Sequence, residues 1–240
     1  PYKHKKYNDE IGELELAFED MTKRISNLVE TINKDMEKQR ELELTALSVQ
    51  INPHFLYNTL DAISWIAKIK KQHEIEKIVI ALAKFYRISL HKGEKNIRLQ
   101  EELELVKNFV TIEKIRFPNK FDIEYDIHPD TLECKIPKFT IQPIVENSIK
   151  HGIIPKKSKG LIRINSEIVE NQLIIEVIDD GIGFNVKELE KSKIKSKSGY
   201  GLKNVDQRLK LEFGANYGLI IESSPNKGTI VTIKMLAKKD

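Results

Sequence analysis

Residues 8–70 contain one proline, Pro53, and one glycine, Gly12, so almost nothing in them interrupts a helix. Within them Leu14, Phe18, Met21, Ile25, Leu28 and Ile32 recur at alternating steps of four and three, the a/d seam of a coiled coil. The seam weakens at Asp35 and Gln39, then apolar spacing resumes at Leu42, Leu44, Leu47 and Ile51. A solvated single helix of this length is unstable without a partner. Self-association is the reading this favours; a lone amphipathic helix folded back on the rest of the chain is the alternative. A second helix is predicted over 73–92, with Ile75, Ile78, Val79, Leu82, Phe85 and Tyr86 on one face. The short break at Lys70–Gln72 suits an antiparallel helical hairpin, and two chains would then form a four-helix bundle. His91–Asn96, with Gly93, reads as a linker.

From about Ile97 the texture changes. A helix is predicted over 99–116, a strand over Phe121–Ile127, and a helix over Pro137–His151 with Pro137 in its first turn. Alternating or β-rich runs at 161–169, 172–179, 217–223 and 229–236 supply a sheet, and Gly199–Phe213 opens on glycines and continues as an amphipathic helix. Three helices against one sheet make a two-layer α+β domain. The Lys/Ser-rich stretch Lys191–Ser198 reads as a mobile loop. Composition narrows the class further. With 40% apolar and 32% charged residues a real core can form. The net charge of +4 is spread along the chain and does not argue for nucleic acid. Cys134 is the single cysteine, which excludes a disulfide framework and a clustered-thiol metal site and fits a reducing cytosol. No run approaches the roughly 18 apolar residues a membrane span needs.

Three signals in the second half carry chemistry. Glu146-Asn147-Ser148-Ile149-Lys150-His151 lies on a predicted helix, Asp179-Asp180-Gly181-Ile182-Gly183 follows the strand Leu173–Ile178, and Gly199-Tyr200-Gly201-Leu202 opens a helix. An Asn oxygen is a hard neutral ligand suited to Mg²⁺. A carboxylate at a strand end can accept from the exocyclic amine of adenine, and glycines after it let the backbone approach a flat ring. Glycines at a helix start expose N–H groups and the positive end of the helix dipole to phosphate. Each signal alone is weak; their order and spacing are specific.

Gln142-Pro143-Ile144-Val145-Glu146-Asn147-Ser148-Ile149-Lys150-His151-Gly152 resembles the N box of the GHKL, or Bergerat-fold, ATPases. Asp179-x-Gly181-x-Gly183 resembles their G1 box, Gly199-x-Gly201-Leu202 their G2 box, and Gly228-Thr229 their terminal Gly-Thr. Together with the segment Gln50–Leu60, QINPHFLYNTL, these motifs are similar to the LytS/YesM-like sensor histidine kinases over about residues 45–236. The resemblance implies ATP and Mg²⁺ as cofactors. Asn147 would hold the metal, and Asn147, Lys150, His151, Asp179, Gly181, Gly183, Gly199, Gly201, Leu202 and Thr229 would line the nucleotide, under a lid over roughly 184–198. Asn204 is expected to face nucleotide, and Arg208 either does the same or forms a structural ion pair. Upstream, Asp9-Glu10-Ile11-Gly12-Glu13-Leu14 with Phe18 and Asp20-Met21 resembles the end of a HAMP signal-relay domain, which implies a transmembrane helix before Pro1.

The resemblance also places the phosphorylated histidine at His54. A neutral imidazole is a competent nucleophile whose N–P bond holds a transferable phosphoryl group. Asn58, at i+4, shares its helical face, and Pro53 should bend the helix at the reactive site. Phe55 stands where many histidine kinases carry an acid, so the general base is open. Glu146 is one candidate, set against its reading as a helix-surface carboxylate. His4, His73, His91 and His128 read as surface or helix-end residues, and Ile63, Trp65 and Ile66 as bundle packing. The organisation expected is therefore the end of a HAMP-like domain over 1–22, coiled coil plus dimerisation and phosphotransfer hairpin over 23–95, and a two-layer ATP-binding domain of Bergerat type over 96–240. The function expected is that of a homodimeric, ATP-dependent kinase of its own histidine, serving a response regulator at the cytoplasmic side of the cell membrane. The rivals are a catalytically silent ATP-binding module and a GHKL ATPase without a phosphohistidine.

Overall fold

The structure, a computed structural model, describes Met21 and residues 53–90, 95–186 and 200–238. The coiled-coil seam, the HAMP-like motif, the bend before Pro53, Gly199, His4, His91 and most of the expected lid lie outside the described residues. Residues 53–240 form one compact unit.

Two helices open this unit, α1 (Pro53–Ile69) and α2 (His73–Ser89). Between them Lys71 takes a left-handed φ of 54°, and the Gln72 N–H returns to the Ala67 carbonyl, so the expected break at 70–72 reverses the chain. Leu60, Val79 and Ala83 form the hairpin's small core, flanked by Leu56, Leu82 and Tyr86. The second helix ends three residues earlier than predicted, at Ser89.

The rest is a mixed sheet covered on one face by helices. Strands β1 (Asn96–Arg98) and β3 (Lys135–Pro137) pair antiparallel as a small separate ribbon. Helix α3 spans Leu99–Arg116, starting where the Glu101 carboxylate accepts the Arg98 N–H at 2.9 Å. The main sheet holds β2 (Phe121–Ile127), β4 (Gly160–Val169), β5 (Gln172–Asp179), β6 (Gly218–Ser224) and β7 (Gly228–Leu236). Its order is β2-β4-β5-β7-β6, with β2 parallel to β4 and every other pair antiparallel. Helices α3, α4 (Gln142–Asn147) and α5 (Tyr200–Phe213) supply the second layer. Leu103, Val106 and Val110 of α3, Ile144 and Val145 of α4 and Val205 and Leu209 of α5 meet Ile162, Ile164, Leu173, Ile175, Val177, Val231 and Ile233 of the sheet in one core. The opposite face carries pairs such as Arg163 with Glu124, 2.8 Å apart.

The helix predicted from Pro137 needs correction. Pro137 ends β3 instead, and a tight loop follows in which Thr140 Oγ1 donates to the Pro137 carbonyl and Phe139 adopts φ 57°. The helix begins at Gln142, and the proline in its first turn is Pro143. After Asn147 it widens to a π-helical stretch over Ser148–Ile153 before the chain leaves for β4.

Candidate nucleotide site and phosphoacceptor histidine

Along β5, Leu173, Ile175 and Val177 point into the core at every second residue, and Asp179 takes the next inward place. A carboxylate in an apolar register is costly unless its oxygens are satisfied. Asp179 is only 3% exposed, and its carboxylate accepts from the Gly181 N–H at 2.9 Å, from the Ser148 side chain and from the Thr229 N–H. Burial pushes its pKa above the usual value of 3.8, partly offset by those hydrogen bonds, while neighbouring Asp180 adds to the rise. Strand pairing sets Thr229 directly opposite Asp179, and Ser223 Oγ lies 3.0 Å from Thr229 Oγ1.

The glycines around this carboxylate serve close packing of the protein on itself. A Cβ on Gly152 would sit 2.8 Å from Asp179 Oδ1, and one on Gly181 would sit 2.5 Å from the Gly152 backbone. Gly183, at φ 58°, and Gly228, at φ 83°, bring the turn after β5 against the β6–β7 turn; a Cβ on Gly228 would meet the Asp179 carbonyl. The expected purpose, room for a flat ring, is thus joined by another: these positions admit no side chain even in the free protein. Asp180 fastens the loop from outside, accepting the Leu161 N–H at 2.9 Å and pairing with Lys156 Nζ at 3.0 Å.

Asn147 ends α4, and Gly201, in the first turn of α5, faces it: a Cβ there would come within 4.0 Å of Asn147 Nδ2 and of Pro143 Cβ. The N-box and G2 elements are therefore adjacent, with exposed Gly201 adding no bulk between them. Leu202 packs against the core and Asn204 is exposed. Lys150 forms an ion pair with Glu146 at 2.5 Å, and Gln142 Nε2 donates to the other Glu146 oxygen at 2.9 Å. The carboxylate considered as a base thus has two partners already. His151 is exposed at the π-helical stretch. Arg208 Nη2 donates to the Phe139 carbonyl at 2.9 Å, and the charges of buried Glu102 and of Glu212 act on its guanidinium. His73 begins α2, 3.8 Å from Glu76, and His128 caps a short turn by accepting the Asp130 N–H.

On the hairpin, His54 lies in the first turn of α1, with Asn58 Nδ2 3.2 Å from its Nδ1. Phe55 and Trp65 are 70% and 69% exposed, and Ile63, Ile66 and Ile69 are exposed as well. Among the described residues, then, those expected to pack a bundle, Ile63, Trp65 and Ile66, are exposed.

Residues 42–121 match the family model described as histidine kinase, and residues 137–239 match that of histidine kinase-, DNA gyrase B- and HSP90-like ATPases. The chain belongs to the LytS/YesM-like sensor histidine kinases. It is 38% identical over 235 residues to the sensor histidine kinase YesM of Bacillus subtilis, covering 97% of this chain and 40% of that protein. It is 33% identical over 213 residues to the sensor protein LytS of Staphylococcus epidermidis, covering 85% and 36%. It is 36% identical over 181 residues to the sensor histidine kinase YpdA of Escherichia coli, covering 74% and 32%. The chain spans about two fifths or less of the length of these relatives. The histidine kinase match includes His54 and Asn58; the ATPase match includes Asn147, Asp179 and Gly201.

Sequence reasoning passed over three residues of this kinase segment. Ser148 donates to Asp179, Gly152 makes room for it, and Glu102 lies wholly buried beneath the N-box helix. Ser148 and Gly152 belonged to the quoted motif without a role. Glu102 had a signal of its own: it falls on the inward face of α3, one turn from Leu99 and Val106.

Proposed function

We propose that this segment binds ATP at the N-box, G1 and G2 elements and transfers its γ-phosphoryl group to His54. The observation that carries the proposal is Asp179, an inward-facing carboxylate satisfied by Ser148, Gly181 and Thr229 at the end of an otherwise apolar strand face. Asp179 accepts the hydrogen bond of the adenine amine. Asn147 would hold Mg²⁺ through its side-chain oxygen, and the ion would supply neutralisation of phosphate charge. Gly201 and the start of α5 offer backbone N–H groups to the phosphates. Lys150 and His151 stand one turn beyond Asn147 and contact the phosphate tail once Lys150 leaves Glu146.

At His54, Asn58 fixes the imidazole through Nδ1. With the amide turned so that its oxygen accepts from Nδ1–H, the tautomer carries its lone pair on Nε2, the nitrogen assigned the attack on phosphorus. Positioning and charge neutralisation then do most of the work, as phosphoryl transfer requires. Two chains associate through the exposed apolar face of α1, and the phosphoryl group passes to an aspartate of a separate response regulator. No described helix is long and apolar enough to cross a membrane; the membrane location and the HAMP-like relay rest on the family and on the motif at residues 9–21.

The test is incubation with γ-labelled ATP and Mg²⁺, followed by mapping of the labelled residue. Acid-labile, alkali-stable label at His54 is expected, lost in His54→Gln with ATP binding retained, and lost together with ATP binding in Asp179→Asn. Label that persists in His54→Gln would refute the phosphoacceptor assignment.

A further inference from the structure

Glu102 is the one carboxylate among the described residues with 0% exposure, and no nucleotide contact is assigned to it above. Both of its oxygens are used. Oε2 accepts the Phe139 N–H at 3.0 Å, while Oε1 accepts the N–H groups of Ile141 at 2.9 Å and Gln142 at 3.2 Å. Gln142 is the first residue of the helix that carries Asn147 and Ile141 the residue before it, so a side chain of α3 caps α4 from a distance of about forty residues in sequence. The opposing charge comes from α5: Arg208 reaches the Phe139 carbonyl at 2.9 Å and Thr140 Oγ1 at 3.4 Å. Its Nε has no hydrogen-bond partner among the described residues, so the guanidinium is held by this loop and by the charges of Glu102 and Glu212. Phe139 stands between the two, giving its N–H to Glu102 and its carbonyl to Arg208, in the left-handed conformation that lets both point inward.

We propose that Glu102 is a positioning residue for nucleotide binding: by tying the start of α4 directly, and α5 through Phe139 and Arg208, to one buried carboxylate, it sets the spacing between Asn147 and Gly201. With Gln142, the preceding Ile141 and Phe139 of the loop all bonded to one carboxylate, α4 cannot slide or tilt without breaking those bonds. Arg208 lies two helical turns from Gly201 on α5, so a shift at its guanidinium moves the glycine turn as a rigid body. This inference rests on the reading that these elements bind ATP.

The experiment measures ATP·Mg²⁺ affinity by calorimetry, with thermal unfolding and His54 labelling kinetics alongside, on the whole chain. In Glu102→Gln one arm of the amide presents N–H to N–H, and in Arg208→Lys the charge stays but the two-point grip on the loop is lost. Both are expected to weaken ATP binding, Glu102→Gln by about tenfold or more and Arg208→Lys by less. The KM for ATP should rise in step while kcat at saturating ATP stays within about twofold, the signature of lost ground-state binding. A purely structural role would lower the melting temperature and leave affinity and KM unchanged; that result overturns the proposal. In the wild-type chain, saturating ATP should slow hydrogen exchange at the Phe139, Ile141 and Gln142 amides, and unchanged exchange there overturns it equally, whatever the variants' folding. Absence of ATP binding by the wild type would instead remove the functional reading on which the inference stands.

Discussion

The hairpin and the sheet domain are built from the same kinds of residue and solve burial in opposite ways. The sheet domain closes one continuous core from three helices and five strands, with Ile144, Ile162, Ile164 and Ile175 fully buried. The hairpin buries little beyond Leu60, Ala67, Val79, Ala81 and Ala83 and leaves Trp65, Phe55, Ile66 and Ile69 in solvent. Two helices can bury only one seam between them, so an apolar face is left over for another surface. The difference shows where each part gets its order: the sheet domain from within, the hairpin from what it meets.

Substitutions should separate the two regions sharply. Ile175→Ala, in the middle of β5, is expected to cost about 3–4 kcal/mol in denaturant unfolding of the whole chain, because the packed sheet cannot collapse around the void. Gly228→Ala should follow at about 2 kcal/mol, since φ 83° is strained for alanine and the methyl would press on the Asp179 carbonyl. It should also weaken ATP binding, a loss that Ile175→Ala produces only as far as it unfolds the domain.

A subtler contrast comes from pH. Burial raises the carboxyls of Asp179 and Glu102 above 3.8 and 4.5, so each holds its proton more firmly folded than unfolded. The stability linked to them is therefore fully present below the ordinary carboxyl range and is lost as pH rises through the raised values. Asp179→Asn should flatten that decline in urea midpoints followed from about pH 4 to about pH 8, whereas no hairpin substitution should. The smallest effect on folding belongs to Trp65→Ala, expected within about 0.5 kcal/mol because the ring is exposed in the single chain. The same change should weaken self-association in analytical ultracentrifugation by about tenfold or more. Unchanged association would mean that this face is covered by something other than a second copy.

Legibility in the sequence followed the same divide between local and distant causes. Helix 99–116 and strand 121–127 are found at their predicted bounds because caps and alternation are local signals. The N-box helix was placed too early because proline suits the first turn of a helix and also the end of an edge strand; only the pairing of Ile97 with Ile136 decides between them, and three-residue strands have no periodicity to read. Asp179 was legible as a carboxylate at the end of an apolar strand, followed by glycines. The Glu146–Lys150 pair follows an i, i+4 rule that the sequence displays openly, yet the motif drew attention to phosphate instead. Glu102 needed tertiary information, since its partners lie 37 to 40 residues away.

The parallel junction of β2 with β4 has a consequence for assembly. Phe121 pairs with Gly160 and Ile127 with Ser166, so this seam encloses residues 128 to 159 in one long connection. That enclosed stretch contains the helix bearing Asn147. Pairing this edge strand therefore closes a loop that holds the metal-ligand candidate, and the closure entropy of that loop ties the ordering of the strand to that of the helix.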